Sequence, residues 1–152
     1  MKKVIGIILI AAIIVTTTSF IACIPFDSEE LGYVKVSINP EVEFATVNGT
    51  VVAVNATNED AEILLSDMDL VGQNIEDAVE EFVDSAKEAG YIDEESEDNE
   101  VNLEIICEKN QERVQERITL RLNNYFHNNG IFGNISVATL EEYAEEAFAW
   151  SV

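Results

Sequence analysis

Asn39 and Pro40 stand side by side inside an alternating stretch, GYVKVSINPEVEFATVNGTVVAV, residues 32–54. Asparagine commonly rearranges when the next backbone nitrogen attacks its side-chain amide. Proline has no N–H, so that route is closed here. The remaining cyclisation runs the other way. The Asn39 side-chain nitrogen attacks its own carbonyl carbon, closes a succinimide and expels Pro40 as an amine, which cuts the chain. The plainer reading is that proline ends a strand and asparagine tolerates the turn. A tertiary amide distorts more easily than a secondary one, and a fold that bends the bond adds about 1–3 kcal/mol of strain. Residue types alone leave both readings open.

Other residues able to do chemistry are sparse. The single histidine, His127, follows Phe126 where a helix is expected to end, and it reads as an ordinary C-terminal cation. There is no Gly-x-Ser-x-Gly, phosphate loop or Cys-His pair, so no turnover enzyme and no cofactor is expected; the only catalysis in view is a single self-cleavage. The segment DEESEDNEVNLE (Asp93 to Glu104) sets acids at the first, third, fifth and twelfth positions of a calcium loop. Asp98 stands where that loop's turn needs glycine, so the segment reads as a solvated acidic loop and no metal site is assigned. Arg113, Arg117 and Arg121 recur at i, i+4 and i+8. They form either a docking patch for an anionic partner or one side of internal ion pairs, for example with the later EEYAEE. Cys23 and Cys107 show no disulfide or metal spacing, and Cys107 reads as a small buried hydrophobe.

The chain has 152 residues, with 8 Lys+Arg against 30 Asp+Glu and a net charge of −22. That balance repels nucleic acid and anionic headgroups. An apolar fraction of 47% is too high for a disordered chain. Lys2 and Lys3 precede an uncharged run from Val4 to Pro25, long enough as a helix to cover a hydrocarbon core of about 30 Å. Lysines before the run and acids after it place Met1 in the cytoplasm and the rest outside, at the cell membrane. Three readings of the run compete: an uncleaved anchor, a lipoprotein signal in which FIAC ends at a lipidated Cys23, and an ordinary signal cut near Ala22, which gives a secreted protein. The expected organisation is a membrane anchor or signal over 1–25, an acidic linker over 26–31 and an extracytoplasmic domain over 32–152.

Periodicity supplies the elements. A strand from Tyr33 to Asn39 sets Val34, Val36 and Ile38 on one face, and a second carries Val42, Phe44 and Thr46. A three-residue loop, Asn48 to Thr50, leads to a third strand with Val52, Val54 and Ala56 inward. Asn58 caps a short helix with a stripe of Ala61, Leu64, Leu65 and Met68, and Asn74 caps a long one that Gly90 stops. Val101, Leu103 and Ile105 mark a strand, and Val114, Ile118, Leu122, Tyr125 and Phe126 a third helix. A strand over 131–138 follows, and the capping box Thr139-x-x-Glu142 opens a last helix. The order βββ-αα-β-α-β-α predicts an α+β domain, a largely antiparallel sheet with helices packed on it, preceded by the transmembrane or signal helix.

The ordered set VKVSINPEVEF, then NGTVVAVNATNEDAEILLSDMDLVGQNIEDAVEEFVDSAKEAGYI, resembles the extracytoplasmic middle domain of RsgI-like anti-sigma factors, over about residues 32–138. The resemblance implies self-cleavage at the Asn-Pro bond, carried here onto Asn39 and Pro40, with the two pieces held together by the fold. Signalling members carry a cytoplasmic sigma-binding domain before the membrane span, whereas only Met1, Lys2 and Lys3 precede this one, so direct sigma-factor binding is not expected. The expected partners are the membrane, through residues 4–25, and an extracytoplasmic protein or other cell-envelope partner, in a regulatory or interaction role. The alternative is a lipoprotein that serves as a binding or structural module and does not cut itself.

Overall fold

Alternation at period two produces three consecutive strands, β1 (Leu31–Ser37), β2 (Glu41–Val47) and β3 (Thr50–Ala56), in a computed structural model that describes residues 29–138. Two helices follow, α1 (Glu59–Leu65) and α2 (Ile75–Glu88), then β4 (Asn99–Cys107), α3 (Gln111–Asn129) and β5 (Gly133–Ala138). The expected membrane segment, Cys23 and the last helix lie outside the described residues. No helix among the described residues is long and apolar enough to cross a membrane.

The five strands form one sheet in the order β3-β2-β1-β4-β5. Every pairing is antiparallel except β4 with β5, which is parallel because α3 provides the crossover between them. Over the described residues the domain is therefore mixed α+β, with a five-stranded sheet and three helices, and its sheet is largely antiparallel as the element order predicts. The first strand in sequence is the central strand in space.

One face of the sheet carries the core. Val34 and Val36 from β1, Val42 and Phe44 from β2, and Val101, Leu103 and Ile105 from β4 are buried beneath α2 and α3. α2 contributes Ile75, Ala78, Val79, Phe82, Val83 and Ala86, the stripe expected of a helix facing a sheet. The Phe82 ring meets Phe44 edge to face, with centroids 6.5 Å apart. α3 adds Ile118, Leu122 and Phe126.

Both long helices end in the same way. The Tyr91 N–H returns to the Ala86 carbonyl and Gly90 N–H to Lys87, while Ile131 N–H returns to Phe126 and Gly130 N–H to His127. These are paired Schellman closures, and Gly90 and Gly130 take the left-handed φ that they require (86° and 69°).

The loop between β2 and β3 differs from the expected three residues. Val47 pairs directly with Thr50, so the turn is two residues, Asn48 and Gly49, both at positive φ (52° and 77°). That is the mirror-image turn whose twist suits a hairpin. The register then slips, because Ala45 faces Ala53 while Thr46 faces Val51. Val52 is the extra residue of a β-bulge. Its side chain is 49% exposed and Val51 is 1% exposed, which corrects the expected inward set from Val52, Val54 and Ala56 to Val51, Val54 and Ala56. The difference is directly measurable. Val51→Thr should destabilise the domain by about 1–3 kcal/mol, the cost of burying a hydroxyl, and Val52→Thr should change stability by no more than about 0.5 kcal/mol. Equal losses in urea denaturation would remove the bulge.

Candidate functional site

The Asn39-Pro40 bond sits in the loop that turns β1 into β2. Ser37 pairs with Glu41, leaving Ile38, Asn39 and Pro40 as the connection. The Ile38 N–H donates to the Pro40 carbonyl at 2.9 Å, which tightens the loop across Asn39. Asn39 is exposed and Pro40 is buried. Asn39 has φ of 65°. Asparagine tolerates that left-handed region better than most residues, but a residue before proline is normally pushed to extended backbone. Local strain therefore falls on the residue whose carbonyl forms the bond to Pro40.

Asn58, the residue before α1, reaches this loop from the far side of the β2–β3 hairpin. Its Oδ1 accepts from Ala61 N–H at 3.0 Å, the capping bond expected from the sequence, and also from Glu41 N–H at 3.2 Å. Its Nδ2 donates to Asn39 Oδ1 at 3.3 Å. One side chain thus caps a helix, holds the first residue of β2 and grips the Asn39 amide. Thr57 fastens the same corner, since its N–H and its hydroxyl both donate to the Glu41 carbonyl, at 3.1 and 3.2 Å. The Thr57 hydroxyl also lies 3.1 Å from Glu41 Oε2. The Lys35 ammonium pairs with Glu41 at 3.1 Å. The Lys35 ammonium, with help from Thr57 and Ser37, holds the Glu41 carboxyl below the usual carboxylate range.

At the opposite end of β1 the chain is pinned as it enters the sheet. Glu30 and Asn48 exchange hydrogen bonds of 2.8 and 2.9 Å, and Glu108 N–H donates to the Leu31 carbonyl at 3.1 Å. Between these ends β1 is paired along its length with β2 on one edge and β4 on the other.

The arginine stripe meets the acids of α2. Arg117 pairs with Glu76 at 2.8 Å, and Arg121 bridges Asp77 at 2.7 Å and Glu80 at 2.6 Å. Glu76 is almost wholly buried, so Arg117 supplies the opposite charge that a buried carboxylate requires. Two of the three arginines therefore clamp α3 to α2, with acids of α2 in the role expected of the C-terminal ones. Nearby, the Tyr125 hydroxyl donates to Asp84 at 2.5 Å, and burial, then that carboxylate, pushes the phenol's pKa up. Arg113 lines a different cleft, beside Glu30, Cys107 and Asn110. A concavity of about 770 Å³ between α2 and α3 is lined by Arg117, Arg121, Tyr125 and Asn128 among others and shares no residue with the Asn39 loop.

His127 is exposed in the last turn of α3. The Asp93–Glu104 segment is not one loop, because its second half is β4 and Glu104 faces Lys35 across the sheet. Its first half is a turn organised by Asn99, whose Oδ1 accepts from Asp93 N–H and whose Nδ2 donates to the carbonyls of Asp93, Ser96 and Phe132. No group of three or more acids, histidines or cysteines that could hold a metal occurs among the described residues. Cys107 is a free, half-buried thiol whose pKa is raised first by burial and then by Glu30.

The central strand thus ends at the Asn39-Pro40 junction, with Asn39 in the left-handed region and with β2 and β4 hydrogen-bonded to the strand on its two sides. The chain belongs to the anti-sigma factor RsgI-like central domain family, whose model matches residues 31–148, beginning at the first residue of β1. No curated protein matches it.

The lowered Glu41 pKa carries a pH signature. Its share of stability is present above the ordinary carboxylate pKa and is lost as pH falls through the lowered value. Lys35→Met removes the main cause of the lowering. The difference in melting temperature between parent and Lys35→Met should be largest near pH 7 and close as pH drops through the carboxylate range. A constant offset at every pH would discard the Lys35–Glu41 contribution.

Proposed function

We propose that this RsgI-like domain is a membrane-tethered, extracytoplasmic regulatory module that cuts itself once, between Asn39 and Pro40, and stays assembled afterwards. The observation that carries this reading is the position of the bond, in a tight loop at the end of the central strand, with the preceding residue at φ of 65°. In the proposed reaction Asn39 Nδ2 forms a bond to its own backbone carbonyl carbon, and the bond from that carbon to the Pro40 nitrogen breaks. The proton lost by Nδ2 ends on the Pro40 nitrogen. The products are a C-terminal succinimide on Asn39 and a free secondary amine on Pro40. Strain of about 1–3 kcal/mol corresponds to roughly one to two orders of magnitude in rate, so strain is one contribution and orientation of the amide must be another.

Retention after the cut is supported by the burial of β1. Val34 and Val36 are buried, and each contributes about 1.5–3 kcal/mol beyond the two ladders and the pinned entry at Glu30. Tethering through residues 4–25 and a role in contacting a cell-envelope protein complete the proposal, in keeping with the apolar run and the acidic domain that follows it.

Denaturing mass spectrometry of the full chain beside Asn39→Ala tests the reaction. The parent should yield a fragment beginning at Pro40 and the variant should not, while both elute as one species under native conditions. A single intact mass in the parent over days would sink self-cleavage and favour the lipoprotein binding module. The tether is tested by Cys23→Ser. Retention in the membrane fraction after alkaline extraction is the outcome expected of an uncleaved anchor, and loss to the soluble fraction would instead assign a lipid to Cys23.

A further inference from the structure

We infer that Asn58 is the positioning residue of the Asn39-Pro40 junction, holding the Asn39 side-chain amide with its nitrogen free to react. The inference rests on the self-cleavage reading above. The Asn39 amide has two similar ends, and only the nitrogen end leads to cleavage. Asn39 is exposed, so an unheld side chain would present either end to the backbone and would rotate among several conformers. Asn58 Nδ2 donates to Asn39 Oδ1, which engages the oxygen and leaves Nδ2 as the unengaged end.

The same bond also acts on the reacting electrons. As Nδ2 gives up a proton and attacks, negative charge spreads from the nitrogen onto Oδ1. A donor already aimed at Oδ1 stabilises that charge without rearrangement. No co-reactant is required. The proton passes to the Pro40 nitrogen as the C–N bond opens.

Asn58 is itself over-determined. Its Oδ1 is fixed by the Ala61 and Glu41 N–H groups, so its Nδ2 can point in few directions, and one of them is Asn39. The other polar groups at the corner are occupied. Thr57 and Lys35 are both engaged with Glu41, and the Ile38 N–H with the Pro40 carbonyl.

The test separates positioning from capping. Asp and Ser cap a helix about as well as Asn, whereas Ala does not. Asn58→Asp keeps both Oδ1 contacts but turns the donor facing Asn39 into an acceptor, and Asn58→Ser keeps the cap but is too short to reach Asn39. The fraction cut is followed by denaturing mass spectrometry on freshly refolded full chain, with melting temperature measured alongside. The expected result is cleavage slowed about tenfold or more in all three variants, slowest in Asn58→Asp, with melting lowered only in Asn58→Ala. Parent-like cleavage in Asn58→Asp and Asn58→Ser, with slowing confined to Asn58→Ala, would assign Asn58 a capping role only and overturn the inference while leaving self-cleavage intact. An uncut parent overturns self-cleavage itself and the positioning role with it.

Discussion

The two-sided pairing of β1 is the constraint on which the rest of the domain depends. A strand that enters the sheet first in sequence would sit at an edge if each new strand were added beside the last. Here β4 returns to the open side of β1, so that β1 is hydrogen-bonded on both edges and buried on one face. That placement requires α2 to lie across the sheet beneath the β2–β1–β4 valines and leucine, and it requires α3 to carry the chain from β4 to the parallel β5. It also places the loop after β1 at the end of a strand that is held on both edges.

The second constraint is charge. Among the described residues, four of the few cations are placed against carboxylates. Lys35 faces Glu41, Lys87 meets Glu94, Arg117 covers the buried Glu76, and Arg121 spans Asp77 and Glu80. Exposed pairs of this kind contribute little individually, but the Arg117–Glu76 pair neutralises a carboxylate that has left water. The outer surface keeps the excess of acid, which favours solubility and selects against anionic partners.

Much of this architecture is legible in the sequence because it follows from short-range patterns. Val34 and Val36, then Val42 and Phe44, show the two-residue period, and Ile75 to Ala86 shows the helical one. Asn58 and Asn74 announce their helices as caps. The features that escape are those decided by contacts between distant residues. Val51 and Val52 are both β-branched and apolar, so nothing local says which of them is the bulge. Arg117 and Arg121 show a stripe, but their partners lie some forty residues earlier and are fixed only when α2 and α3 pack. Asn58 is legible as a cap and not as the residue that touches Asn39, since its second contact depends on how the β2–β3 hairpin folds over the first loop. The Asn39-Pro40 dipeptide itself is conspicuous, whereas its left-handed backbone is not.

The relative directions of β1 and β5 have a mechanical consequence. β1 runs antiparallel to β4 and β5 runs parallel to β4, so the start of β1 and the end of β5 lie at the same end of the sheet, with Asn39 at the other. A pull on the entering chain at Leu31 acts along the axis of β1. The antiparallel ladder bonds lie perpendicular to that axis, so both edges of the strand are loaded in shear and their bonds share the load instead of parting one after another as in a zipper. In the intact chain the last link resisting such a pull is the covalent turn into β2. In a nicked chain the sheet alone resists it, and the strand behaves as a bolt held along its whole length, giving way in a single step once the load exceeds what the two ladders sustain together.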